Sequence, residues 1–217
     1  MPRVARQLQE GYCYHILNRG NGKANLFLDR YDYSAFVKLL VGMKAAYEIR
    51  LLAYCLMPNH FHLVLQAEAT GAVSTAMHWT QTSYVSRFRT RYRSTGHILQ
   101  GRFKSFPIQE DSHLVTVMRY VERNPVRANL VDRSVDWPWS SARWRSRCDN
   151  WLNESPVRLG DAWQTYVDTP QTSTEVAALR RSVSRGTPFG SPGWQNAAAE
   201  LLGLTSTLRS RGRPRKN

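Results

Sequence analysis

His60 and His62 flank Phe61 at the start of an apolar run, Asn59-His60-Phe61-His62-Leu63-Val64. In an extended strand alternate side chains share a face, so both imidazoles project one way while Phe61, Leu63 and Leu65 project the other. Two neighbouring imidazoles make half of a metal site, because imidazole is neutral near physiological pH and offers one lone pair. The rival reading is two polar residues on the solvent face of a half-buried sheet. Tyr120 and Asn124 form a second pair, four residues apart on what reads as one face of a helix. A tyrosine hydroxyl can attack phosphorus and hold the phosphate covalently. The phosphotyrosine bond then replaces the phosphodiester bond, so a free hydroxyl end can reverse the reaction without a nucleotide cofactor. Asn124 can supply a neutral oxygen ligand or a hydrogen bond. Tyr120 lies off the core stripe of its helix, and in a chain with ten tyrosines packing or surface exposure is the competing role.

These groups need elements that hold them. Residues 12–18 read as a first strand, ended by the turn-forming Arg19-Gly20-Asn21-Gly22. A helix follows from Asp32, where Phe36, Leu39, Leu40, Met43 and Tyr47 recur at helical spacing and Asp29 or Asp32 can cap. Two apolar runs, residues 49–57 and 61–65, meet at Pro58-Asn59 and predict a hairpin. Residues 73–93 predict a second long helix, with Met77, Tyr84, Val85, Phe88 and Tyr92 on one stripe and Arg87 and Arg91 on a basic edge. Residues 97–109 alternate around Gly101 and suggest an irregular strand pair with Arg102 and Lys104 on one side. A third helix begins near Asp111 or Ser112, buries Leu114, Val117, Met118 and Val121, and ends at Asn124-Pro125.

That order predicts an α+β domain over residues 1–145, an antiparallel sheet with helices packed on it in a split βαβ arrangement. Residues 146–208 are expected to be a loosely packed, partly helical DNA-binding extension, with short helices near 174–184 and 192–202. Trp144 and Trp151, at its start, are candidates for stacking on a flipped base. Residues 209–217 form a basic tail without an acidic residue, expected to be disordered when free.

Net charge is +14, carried by arginine far more than by lysine. Guanidinium binds phosphate through a planar fork and stacks on bases, so this surface points to nucleic acid. Arg211, Arg213 and Arg215 surround a Gly-Arg-Pro centre like that of an AT-hook, which enters a narrow minor groove; a tail that binds phosphate without sequence preference is the other reading. No apolar run approaches the roughly 18 residues of a membrane span. Cys13, Cys55 and Cys148 stand apart with no CxxC, which argues against a disulfide framework and a zinc knuckle. With no apolar stretch at the N-terminus, a cytoplasmic, nucleoid-associated protein is expected. His15, His78, His97 and His113 read as structural or surface residues.

Met57-Pro58-Asn59-His60-Phe61-His62-Leu63-Val64, followed by Tyr120-Val121-Glu122-Arg123-Asn124-Pro125-Val126-Arg127-Ala128, resembles the HUH-type tyrosine transposases of bacterial insertion sequences. More narrowly, Asn18-Arg19-Gly20-Asn21, Gly101-Arg102-Phe103-Lys104-Ser105 and Trp137-Pro138-Trp139-Ser140-Ser141 resemble the REP-associated subgroup. The resemblance runs from about Tyr12 to Trp144. It implies a ferredoxin-like fold, His60 and His62 as ligands of a divalent cation, Mg²⁺ or Mn²⁺, and Tyr120 as nucleophile. Asn124 stands where the wider family has a glutamine ligand, and its shorter side chain leaves direct coordination open. The implied substrate is single-stranded DNA carrying palindromic hairpins, with Asn18, Arg19, Arg102, Lys104 and Arg127 contacting it, in a monomer or homodimer. Two alternatives stand beside this: a domesticated hairpin-binding protein without turnover, and a metal-dependent hydrolase that activates water.

Overall fold

Four strands, buried on both faces along most of their length, build a single sheet. In the computed structural model, which describes residues 8–145, 147 and 149–209, β1 (Cys13–Arg19) is followed by α1 (Arg30–Ala46), β2 (Ile49–Met57), β3 (His60–Ala67), α2 (Ala72–Tyr92) and β4 (Lys104–Ile108). The strands lie in the order β2-β3-β1-β4 with antiparallel pairings. This is the split βαβ arrangement expected from the element order, and the ferredoxin-like fold that the family resemblance implies. The irregular pair foreseen over residues 97–109 reduces to β4 and a single bridge between Leu99 and Gly20.

The two faces of the sheet are covered separately. Tyr14, Ile16, Leu51, Phe61, Leu63 and Leu65 pack on Phe36, Leu40 and Met43 of α1 and on Met77 and Tyr84 of α2. The opposite face, with Cys13, Cys55, Val64 and Phe106, packs on α3 (Ser112–Glu122) through Leu114, Val117, Met118 and Val121. Asp29 caps α1 by accepting from the amides of Tyr31 and Asp32. Arg91 of α2 pairs with Asp29 and Asp32 at 2.5 and 2.7 Å, so one half of the basic edge read from the sequence ties two helices together.

The third helix ends just before Asn124-Pro125, as the sequence predicts, but helical backbone continues beyond it. Arg123 closes α3 at φ −79° and ψ −7°, and a further turn follows as α4 (Asn124–Arg127), with Pro125 in its first turn. Proline is tolerated there because its missing N–H would have had no helical partner. Trp137-Pro138-Trp139-Ser140-Ser141 then runs along the outer edge of β2. Leu56 N–H donates to Trp139 O at 2.9 Å, Trp137 Nε1 donates to Leu56 O at 2.9 Å, and Tyr54 N–H donates to Ser141 Oγ at 3.0 Å. This motif shields an edge strand that would otherwise expose its backbone.

Residues beyond 145 pack more closely than expected. After α5 (Ala142–Arg145), α6 (Trp163–Asp168), α7 (Ser173–Arg185) and α8 (Pro192–Leu201) follow. Trp163, Val167, Leu179 and Phe189 are buried with α3, and Leu152 is buried with the opposite cluster. Arg119 of α3 donates to Thr169 O at 2.8 Å and to Pro170 O at 3.2 Å, and Arg123 donates to Val167 O at 3.1 Å. Cations thus meet the C-terminal carbonyls of α6, which hold partial negative charge. Trp144 and Trp151 pack against the first cluster, Trp151 with its ring 5.5 Å from that of Tyr54. Both are half-buried against this core, which reduces the ring surface open to a base. The tail arginines Arg211, Arg213 and Arg215 lie outside the described residues.

Glu122, 0% exposed, joins these parts. It accepts from Ser141 Oγ at 2.6 Å, from Trp163 Nε1 at 2.8 Å and from Arg145 Nε. Replacing it with alanine would leave the largely buried Arg145 guanidinium without its counter-charge. Glu122→Ala should therefore lower unfolding free energy by about 3–5 kcal/mol in urea titrations; a loss below about 1 kcal/mol, as for an exposed pair, would contradict the bridging role.

Candidate active site

The register of β1 against β3 decides which side chains meet. Leu17 pairs with His62 and Arg19 with His60, while on the other side of β1 Leu17 pairs with Lys104 and His15 with Phe106. Directly paired residues point to the same face. His15, His60, His62, Arg19 and Lys104 therefore share the face that α3 covers.

The hairpin turn orients His60. Asn59 Nδ2 donates to Lys23 O at 3.3 Å, which turns Asn59 Oδ1 toward His60 Nδ1 at 2.7 Å. An amide oxygen only accepts, so His60 carries its proton on Nδ1 and keeps a lone pair on Nε2. The loop after β1 makes this possible. A Cβ on Gly20 would lie 1.9 Å from Ala24 O, so only glycine lets the chain fold tightly enough there to bring Lys23 beneath the hairpin turn.

His62 is 4% exposed, and its ring centroid lies 5.0 Å from that of His60. The Tyr120 ring stands nearly perpendicular to that of His62, centroids 5.9 Å apart. Structure and sequence agree that the three side chains meet, and they meet within one chain. They differ on how Tyr120 gets there. It is 6% exposed and part of the second core cluster, its ring packed against His15 and His62 of the sheet rather than lying on an outer stripe of the helix. Among the described residues its hydroxyl has no hydrogen-bond partner. Arg127 of α4 covers the Tyr120 ring, its Cζ 4.0 Å from the centroid, and donates to Asn124 Oδ1 at 2.6 Å. The other amide atom, Asn124 Nδ2, is buried without a partner.

The remaining candidates divide. Arg19 and Lys104 are exposed at the His60 end of this face, with Arg19 donating to Gln100 Oε1. Arg102 is exposed and borders a groove of about 820 Å³ between α2 and residues 97–103. Asn18, one residue before Arg19, alternates to the opposite face and is 4% exposed. Its Nδ2 donates to Gln81 Oε1 at 3.0 Å and to Gly101 O at 3.1 Å. Asn18 thus holds the Gly101 loop from below rather than meeting DNA, a correction to the sequence reading. His15 was passed over in the sequence because nothing local distinguishes it; the structure sets its Nε2 2.9 Å from His62 Nδ1.

Burial keeps these imidazoles neutral. It lowers His15 to about 3 and, with the charges of Arg127 and Arg19 added, His60 to about 4. His62 falls well below the ordinary range through burial, then through His15, His60 and Arg127. Two neutral imidazoles suit a divalent cation, since their lone pairs stay available at physiological pH, whereas Asn124 Oδ1, the ligating atom of its amide, is engaged here by Arg127. Among the described residues no cluster of three His, Cys, Asp or Glu side chains forms a metal site by itself. A cation here would draw further ligands from Asn124, water or a phosphate oxygen.

The chain was compared with known proteins. The family described as "Transposase IS200 like" matches residues 9–124, more than half of the chain. A Haemophilus influenzae relative that bears the name REP-associated tyrosine transposase is 29% identical over an alignment of 106 residues, with 44% of this chain covered; the chain spans 60% of that relative's length. A solved structure of a REP-associated tyrosine transposase bound to a REP hairpin superposes with a TM-score of 0.54 at 20% identity, covering 71% of this chain and 93% of that one. The structural match speaks to the fold. Together the matches bear out the resemblance drawn from the sequence motifs.

The depressed histidines carry a cost at low pH. Above their ordinary value of 6.5 they are neutral whether the chain is folded or not. As pH falls below 6.5 the unfolded chain gains protons that folded His15 and His60 refuse until pH nears 3 and 4. Stability is therefore fully present above pH 6.5 and declines below it, by about 1.4 kcal/mol per pH unit for each histidine. Urea titrations of metal-free protein should show this slope reduced by about one proton in His15→Gln; an unchanged slope would contradict it.

Proposed function

The chain belongs to the IS200-like transposase family, and on that premise we propose that it cuts and rejoins single-stranded DNA at palindromic hairpins through a covalent link to Tyr120. The carrying observation is the packing of the Tyr120 ring 5.9 Å from His62 and, through His62, beside His60. His60 and His62 are the proposed ligands of a divalent cation, Mg²⁺ or Mn²⁺, with Asn124 adding an oxygen by direct contact or a hydrogen bond. When bound, the cation supplies Lewis-acid neutralisation of charge on the scissile phosphate.

The chain's own residues do the rest. The Tyr120 oxygen forms a new bond to phosphorus as the bond to one deoxyribose oxygen breaks; the phenolic proton is released and the departing sugar oxygen takes one up. Arg127, over the phenol ring, places a positive charge where negative charge develops. Arg19 and Lys104, exposed on the same face, and Arg102 beside the groove hold the flanking backbone. The relative and the solved neighbour are named for REP elements, and that hairpin class is the proposed substrate here. Among the described residues no helix is long and apolar enough to cross a membrane.

One contact favours a second reading. In the present pose Arg127 occupies both Tyr120 and Asn124, and a chain locked this way would bind hairpins without turnover.

A labelled hairpin oligonucleotide incubated with Mg²⁺ and run on a denaturing gel separates these readings. The proposal expects cleaved and protein-linked strands from the wild type and neither from Tyr120→Phe, with hairpin affinity retained. His60→Ala should slow cleavage by about 100-fold or more while affinity changes little. Cleavage without a protein-linked strand would point to activated water, and binding without cleavage to the locked pose.

A further inference from the structure

His15 has no part in the chemistry above, yet it is the most buried of the three histidines on this face, 1% exposed. Its ring is boxed between His62 at 5.0 Å, Phe106 at 4.8 Å and Tyr120 at 6.4 Å, centroid to centroid. Its Nε2 stands 2.9 Å from His62 Nδ1, a hydrogen-bond distance. A hydrogen bond at that distance needs one proton between the two nitrogens, so one ring donates while the other accepts.

The two arrangements have opposite consequences. If His15 donates, the proton of neutral His62 sits on Nε2 and that nitrogen is closed to a cation. If His62 donates from Nδ1, its Nε2 keeps the lone pair. We propose that His15 is a positioning residue: by accepting from His62 Nδ1–H it fixes the ring rotation of His62 and keeps His62 Nε2 free as a ligand. This rests on the reading of His60 and His62 as cation ligands.

Three observations support the assignment. His60 is already held with its proton on Nδ1 by Asn59 Oδ1, so the same polarity at His62 makes the two imidazoles alike as ligands. Ligand imidazoles commonly pass their second N–H to a carboxylate or carbonyl. Here the acceptor is a neutral ring, which adds no negative charge beside the phosphate that the site must take. Finally, Phe106 and Tyr120 pack on the His15 ring from other sides, so its rotation is restricted. A Tyr120 ring that packs on both His15 and His62 also couples the nucleophile's position to the same contact.

The rival is that His15 Nε2 and His62 Nδ1 jointly bind the cation. That would set the ion between two nearly inaccessible nitrogens, away from the half-exposed His60.

Long-range ¹⁵N–¹H correlation spectra of metal-free protein labelled at histidine read the tautomer directly. The proposal expects His62 to carry its proton on Nδ1 with Nε2 bare. Mn²⁺ binding, followed by loss of the free-ion paramagnetic resonance signal, supplies a second readout. His15→Gln, whose amide oxygen can accept in place of Nε2, should keep affinity within about threefold, whereas His15→Phe should weaken it by about 10- to 100-fold. A His62 proton on Nε2, no proton on either nitrogen of the gap, or Mn²⁺ affinity unchanged in His15→Phe would overturn the assignment. Because the tautomer is read without metal, a wild type with the expected tautomer that fails to bind Mn²⁺ would uphold the His15 contact and reject the ligand reading instead.

Discussion

Everything in the site depends on the antiparallel register of β1 against β3. Pairing Leu17 with His62 and Arg19 with His60 turns three imidazoles, an arginine and a lysine to one face, and leaves Tyr14, Ile16, Phe61, Leu63 and Leu65 to the core beneath α1 and α2. A slip of one residue would exchange the two sets and bury the imidazoles among apolar side chains. Apolar burial on the α1 and α2 face therefore fixes the register, and with it the position of chemical groups that contribute little to that burial. The Gly20 loop adds a local lock by letting Lys23 O hold Asn59, and Asn59 in turn hold His60.

Tyr120, the proposed nucleophile, depends on a different set of forces. Tyr120 sits at the end of a helix pressed on the sheet from one side and covered from the other by residues far along the chain. Arg119 and Arg123 reach the carbonyls that end α6, and Glu122 gathers Ser141, Arg145 and Trp163. Three successive residues of α3 beyond Met118, Arg119, Tyr120 and Val121, are buried, and Glu122 with them. The helix that carries the phenol is thus held by the segment beyond residue 145 as well as by the sheet. Arg127 stands between the two systems, touching Tyr120 and Asn124 and lowering both His60 and His62 by its charge.

Much of this could be read from the residues before any coordinates. The hairpin at Pro58-Asn59, the stripes of α1, α2 and α3, and the shared face of His60 and His62 follow from periodicity, which is local information. What escaped depends on distant partners. His15 acquires meaning only once β1 is paired with β3, and no spacing within Tyr14-His15-Ile16 announces it. Asn18 reads as a DNA contact together with Arg19 through the Asn18-Arg19-Gly20-Asn21 motif, but alternation sends the two side chains to opposite faces. Residues 150–172 lack periodicity because their burial comes from a few large side chains, Leu152, Trp163 and Val167, placed against surfaces made elsewhere. Tyr120 was expected off the core stripe because the groups that bury it, His15, His62 and Arg127, lie on other elements and leave no mark on helical spacing.

The central claim is that the phenol of Tyr120, and no other tyrosine, becomes bonded to phosphorus. Trapping the protein–DNA complex, trimming the DNA with nuclease and sequencing tryptic peptides by mass spectrometry tests it directly. Trypsin cuts after Arg119 and Arg123, so the account predicts nucleotide mass on Tyr120-Val121-Glu122-Arg123. Nucleotide mass on a peptide carrying a different tyrosine, with this one unmodified, would contradict it.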